Sequence, residues 1–75
     1  MTNEMHYYII SKHQFPASPL YWTGQCWVDD KHGAKKYASL QLALNETVAM
    51  KDSWLFVSSF NPAGNLLAVY NADNK

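Results

Sequence analysis

Residues 39–51, with the sequence SLQLALNETVAMK, are the only part of this chain that keeps a helical period over about three turns. Positions i, i+3, i+4, i+7 and i+8 form one mainly apolar stripe, which consists of Leu40, Ala43, Leu44, Thr47 and Val48. Ser39 precedes the stripe and predicts an N-cap, because its hydroxyl can accept from a first-turn amide. We therefore expect one helix, which ends near Lys51.

The other segments have the composition of strands and turns. Aromatic and β-branched residues predict strands at residues 6–11, 20–28, 54–60 and 66–70. Within residues 20–28 we expect one bent strand, and the alternative is a hairpin that turns at Thr23-Gly24.

A further short strand is expected at residues 34–38, where two adjacent lysines suit a sheet edge. The resulting order, β-β-β-α-β-β, indicates an α+β fold in which a single helix packs on one antiparallel sheet of four to five strands. A chain of 75 residues is expected to form one small domain, residues 1–75.

The charge of the chain limits its partners. Formal net charge is zero, and all six basic residues are lysines. Arginine is the side chain most used for bidentate phosphate and guanine contacts, so nucleic acid is the less favoured partner. The alternative is a nucleic-acid-binding accessory protein that uses the positive cluster of Lys31, Lys35 and Lys36, although Asp29 and Asp30 cancel part of its field.

Side chains suited to catalysis or metal binding form no recognisable pattern. Cys26 is the only cysteine, and its spacing to His13 and His32 matches no zinc site. No glycine-rich elbow or cationic neighbour explains a lowered thiol pKa, so we expect neither an enzyme nor a cofactor or metal. A lone cysteine and the lack of a signal peptide or a membrane-length apolar stretch favour the cytoplasm, with no membrane partner.

The aromatic residues carry the main functional signal. Along residues 54–60, Trp54, Phe56 and Phe60 fall on one face and Leu55 and Val57 on the other. The helix can cover only one face, so the second apolar face needs another cover: the proline loop at residues 12–19, a twin chain or a foreign partner. Six aromatic residues are the candidate partner-binding set: Phe15, Tyr21, Trp22, Trp27, Trp54 and Phe56.

The layout of residues 37–70 resembles a group of small phage-encoded proteins. It consists of YASL at 37–40, Ala43, LFV at 55–57, Gly64 and LAVY at 67–70. Similar arrangements of one short helix and a small antiparallel sheet occur in anti-CRISPR proteins and other host-takeover inhibitors. These shared elements are structural, so no functional residue is transferred. The resemblance implies a stoichiometric binder that acts in the cytoplasm of a bacterial host.

The leading hypothesis is therefore a non-enzymatic protein-binding module, an inhibitor from a phage or mobile element that blocks a bacterial protein or complex sterically. Besides the nucleic-acid alternative, a small structural homo-oligomer would also cover the second sheet face. Truncation of a true aromatic anchor commonly costs at least about 2 kcal/mol of binding free energy, so the aromatic hypothesis can be tested by mutation.

Overall fold

The computed structural model describes residues 6–13, 18–50 and 54–72. This part of the chain contains five strands and one α-helix: β1 Tyr7–Lys12, β2 Leu20–Trp22, β3 Trp27–Val28, α1 Leu40–Met50, β4 Leu55–Phe60 and β5 Leu66–Asn71. A short 3₁₀ turn, Lys31–Gly33, follows β3. The strands form one antiparallel sheet in the order β3-β2-β1-β4-β5. The prediction of an α+β fold with one helix on one sheet is confirmed.

The helix begins where its cap predicts. The amide of Leu42 donates to the Ser39 hydroxyl at 3.2 Å, which satisfies one of the first-turn donors. Ala43 and Thr47 are buried, and the Thr47 hydroxyl donates to a backbone carbonyl at 2.7 Å. Val48 is 53% exposed, so this residue of the predicted apolar stripe does not belong to the buried face of the helix. The predicted helix end at Lys51 lies outside the described residues.

Between α1 and the sheet lies the main core. Ile10, Leu55 and Val57 are fully buried there, together with Ala43 and Tyr37. The helix packs on the two central strands, β1 and β4. Alternation along β4 then sends its aromatic side chains to the opposite face, since neighbouring residues of a strand point to opposite sides. Of the two orientations that the sequence left open, the structure has Leu55 and Val57 inward.

Residues 20–28 form a hairpin, so the preferred single bent strand is wrong and the alternative is confirmed. The Thr23 amide donates to the Cys26 carbonyl at 3.0 Å, and the Cys26 amide donates to the Thr23 hydroxyl at 3.1 Å. Gly24 takes φ +103°, a conformation that side-chain-bearing residues seldom adopt. These bonds and the glycine reverse the chain within the predicted strand.

The prediction of a strand at residues 34–38 is also wrong. Only Tyr37 pairs with a strand: it forms an isolated bridge with Tyr8, through reciprocal bonds of 2.8 and 2.9 Å. The Lys35 amide donates to the Trp22 carbonyl at 2.8 Å. The segment therefore bonds to both β1 and β2 instead of forming an edge strand. The third strand of the confirmed order is β3.

Candidate docking surface

The face of the sheet away from α1 is only partly covered. Residues directly opposite each other in an antiparallel pair share a face, and the register places Ser11 opposite Phe56 and Tyr7 opposite Phe60. Ala34, just after the 3₁₀ turn, packs with Phe60 and Ile9 in a second, smaller apolar cluster. Within the described residues, the turn therefore covers one end of this face, and α1 lies on the other face.

A groove of about 370 Å³ lies in the uncovered part. Its floor is aromatic and aliphatic, and its polar groups are the hydroxyls of two serines and one tyrosine, one imidazole and one ammonium. We call it the open-face groove, and it is lined by Ser11, His13, Tyr21, Lys31, Phe56, Ser58, Phe60, Leu66 and Val69. An apolar hollow with a few polar groups of this size has the composition of a binding site.

The polar groups of the groove are held by contacts with its aromatic floor. The His13 ring meets Phe56 edge-on, with centroids 4.9 Å apart, and its Nε2 lies 3.3 Å from the Ser11 hydroxyl. The Lys31 ammonium lies 4.3 Å from the centroid of Phe60, within the range of a cation–π interaction. A titratable ring and a cation therefore face the groove beside apolar surface.

Trp54 stands next to the groove and is 60% exposed. Its carbonyl accepts the His13 amide at 3.0 Å, which joins it to the end of β1. Its φ of 64° makes it the one described non-glycine residue with positive φ. The following residue, Leu55, is fully buried, so the chain turns sharply from an exposed indole to the core.

The structure separates the six predicted aromatic residues. Tyr21 and Phe56 line the open-face groove, and Trp54 lies beside it. Trp22 and Trp27 face the other way: their ring centroids lie 5.2 Å apart, and both side chains pack against the helix-side core. Phe15 lies outside the described residues.

The three lysines of the predicted cluster do not form one positive surface. Each lies over an aromatic ring of the chain itself: Lys31 over Phe60, Lys35 over Tyr37 at 5.0 Å, and Lys36 over Tyr7 at 5.0 Å. Phe60 and Tyr7 belong to the open face, whereas Tyr37 belongs to the helix-side core. Lys35 and Lys36 also line one hollow beside α1 together with Glu46, whereas Lys31 lines the open-face groove.

Sequence reasoning did not find the contribution of β5. Val69 and Leu66 line the groove, and both are exposed, as are Leu67 and Tyr70. A signal is present, because residues 66–71 contain no charged residue to mark a solvent face. Their apolar character predicts pairing in a hairpin but does not by itself predict a groove.

Two titratable groups among the described residues have shifted pKa values, and both shifts have causes in the fold. Asp30 accepts the His32 amide at 2.9 Å as the cap of the 3₁₀ turn, and this bond lowers the pKa of its carboxyl. Burial, and then the negative charge of Glu46, raise the pKa of Tyr37. Cys26 is exposed in its hairpin. In the described segments, no three His, Cys, Asp or Glu side chains are grouped so that they could hold a metal ion.

Comparisons with known proteins give no relative from which to transfer a role. No family model, curated protein or solved structure matches the chain. Within the described residues, no helix is long and apolar enough to cross a membrane.

Proposed function

We propose that this chain is a non-enzymatic protein-binding module whose docking surface consists of the open-face groove and Trp54. The proposal is supported by the position of the aromatic side chains: Tyr21, Phe56 and Trp54 lie on or beside a face that α1 does not cover. Tryptophan and tyrosine are enriched among the residues that dominate binding energy in protein interfaces.

Trp54 is the observation that carries this proposal. A non-glycine residue at positive φ costs roughly 1–2 kcal/mol, and such strain persists only where neighbouring structure imposes it. Here Leu55 is anchored in the core and the Trp54 carbonyl is bonded to His13, so the backbone holds the indole outward. Because this backbone is already fixed and an indole has only two side-chain torsions, Trp54 loses little conformational entropy when a partner covers it.

The groove beside Trp54 adds shape and charge. Its apolar floor can receive a hydrophobic side chain of the partner, and the Ser11 and Ser58 hydroxyls can bond to partner polar groups. Lys31 places a positive charge at the same site, which favours an acidic residue next to that hydrophobic one.

The nucleic-acid alternative has less support. Phosphate-driven binding usually uses several cations on one surface, and Lys31, Lys35 and Lys36 lie over rings on two sides of the sheet. The finer hypothesis, a phage or mobile-element inhibitor that blocks a bacterial complex, rests on the resemblance over residues 37–70. It makes a bacterial cytoplasmic extract the first source of partners to test.

The proposal can be tested by capture with matched variants. The immobilised chain is used to isolate a partner from bacterial extract, and the affinity of that partner is then measured by calorimetry for Trp54→Ala, Phe56→Ala and Val48→Ala. We expect Trp54→Ala to weaken binding by at least about thirtyfold, since loss of an anchor costs at least about 2 kcal/mol.

Val48→Ala is the control, because this residue is similarly exposed but lies on α1. It is expected to change affinity less than about threefold. Circular dichroism verifies that each variant is folded. If both open-face variants bind normally while folded, or if only the helix variant loses binding, the proposed docking surface is wrong.

A further inference from the structure

Strand β5 occupies one edge of the sheet and presents part of its backbone outward. The Ala72 amide donates to the Leu55 carbonyl at 2.9 Å. In an antiparallel ladder, successive residues alternate between bonding to the neighbouring strand and pointing away from it. Counting back from Ala72, Tyr70 bonds toward β4, and the N–H and C=O of Val69 point to the outer side of the sheet. No other described strand lies there.

The side chains of β5 do nothing to block this edge. Natural edge strands are usually protected by charge, proline or short length, whereas Leu66–Asn71 has six residues, none of them charged and none proline. The opposite edge is different because Trp27–Val28 is only two residues long, whereas Leu66–Asn71 has six. Only β5 therefore offers a long, neutral edge.

We propose that β5 pairs antiparallel with β5 of a second copy of this chain, about a two-fold axis at Val69. A two-fold axis that relates antiparallel edge strands is normal to the sheet, so it keeps each side chain on its original face. Val69 then meets its own equivalent and exchanges two backbone hydrogen bonds with it. The register shift near Leu67 limits the pairing to the residues around Val69.

Charge and side-chain size favour a second copy as the occupant. The paired strands contain no charged residue and the chain has zero formal net charge, so two copies meet without repulsion. The same register places the small Ala68 opposite Tyr70 of the partner subunit on the helix side of the sheet. On the open side, both grooves lie on one continuous surface, because each contains Val69 at its edge.

Light scattering after size-exclusion chromatography tests this proposal with Val69→Pro, Val69→Lys and the control Val48→Lys. We expect the unmodified chain to have twice its 8.6 kDa mass at high concentration. Proline at position 69 removes only the outward amide, so the bonds between β4 and β5 remain. Proline removes both central hydrogen bonds of the dimer, and lysine places a charge on the neutral edge. Either change at Val69 should therefore raise the dimer dissociation constant at least about tenfold.

The control is expected to remain dimeric, because Val48 is 53% exposed on α1, away from this edge. Far-UV circular dichroism identifies any variant that has unfolded, and Val69→Lys serves if the proline variant does not fold. A monomeric unmodified chain, or a dimer that persists in the folded Val69 variants, overturns the proposal. The partner-capture result is independent of both outcomes.

Discussion

Trp54 combines a largely exposed indole with a positive φ, and each property has a measurable consequence. The Trp54 side chain contributes little to the core, because most of it is exposed and the adjacent Leu55 is the residue buried there. The backbone is strained because its Cβ crowds the neighbouring carbonyl in the left-handed region. At this residue, therefore, the usual preference for alanine over glycine should reverse.

We predict that Trp54→Gly is more stable than Trp54→Ala by about 1 kcal/mol, since glycine adopts positive φ without strain. Urea unfolding of the two variants measures this difference. The matched pair is Val48→Gly and Val48→Ala within α1, away from the groove and the β5 edge, where glycine should be the less stable by about 0.5–1 kcal/mol. A less stable glycine variant at position 54 would show that the strain is absent.

Tyr37, which is buried in the helix-side core, is expected to make the stability of the fold depend on pH. Burial is the main cause of its raised pKa, and the negative charge of Glu46 adds to it. The Tyr37 hydroxyl and the Trp22 indole nitrogen are buried, and neither has a hydrogen-bond partner within the described residues. The neutral hydroxyl without a partner therefore costs some stability, and burial disfavours the ionised form further.

A phenol whose pKa is raised by folding contributes stability that is fully present below the unfolded pKa of about 10 and is lost as the pH rises through the folded pKa. Compared with the unmodified chain, we predict that Tyr37→Phe is equally stable or up to about 1 kcal/mol more stable at about pH 7. We also predict that it loses less stability than the unmodified chain at about pH 11. Urea unfolding at both pH values measures this, with Tyr70→Phe, an exposed site, as control. An equal alkaline loss in both variants would contradict the assignment to Tyr37.

At the scale of elements, local signals predicted the helix and the β4–β5 hairpin, because a cap, a period and a turn each lie within a few residues. Residues 34–38 were mispredicted because Tyr37 pairs with Tyr8, a partner far away in the chain. Residues 20–28 were ambiguous because one glycine can mark either a bulge or a reversal. The inward face of β4 was undetermined, since both of its faces are apolar and only packing on α1 selects Leu55 and Val57.

At the scale of the molecule, the described residues form one sheet with apolar clusters on both faces and one α-helix, which packs on one of those faces. The sequence predicted this imbalance and included Tyr21, Phe56 and Trp54 in its candidate set. It did not predict the groove, since Val69 and His13 join it only through the pairing of distant strands. Part of the cover comes from the 3₁₀ turn and Ala34, whereas the proline-loop residues 14–17 lie outside the described residues.

The most direct test of the central claim, that the open face is the docking surface, is a chemical-shift map of the ¹⁵N-labelled chain titrated with its captured partner. We predict the largest shifts at the amides of Ser11, Phe56 and Ser58 and at the Trp54 indole, with small shifts along α1. Shifts concentrated at Leu42 and Val48 on α1, with the open face unchanged, would contradict it.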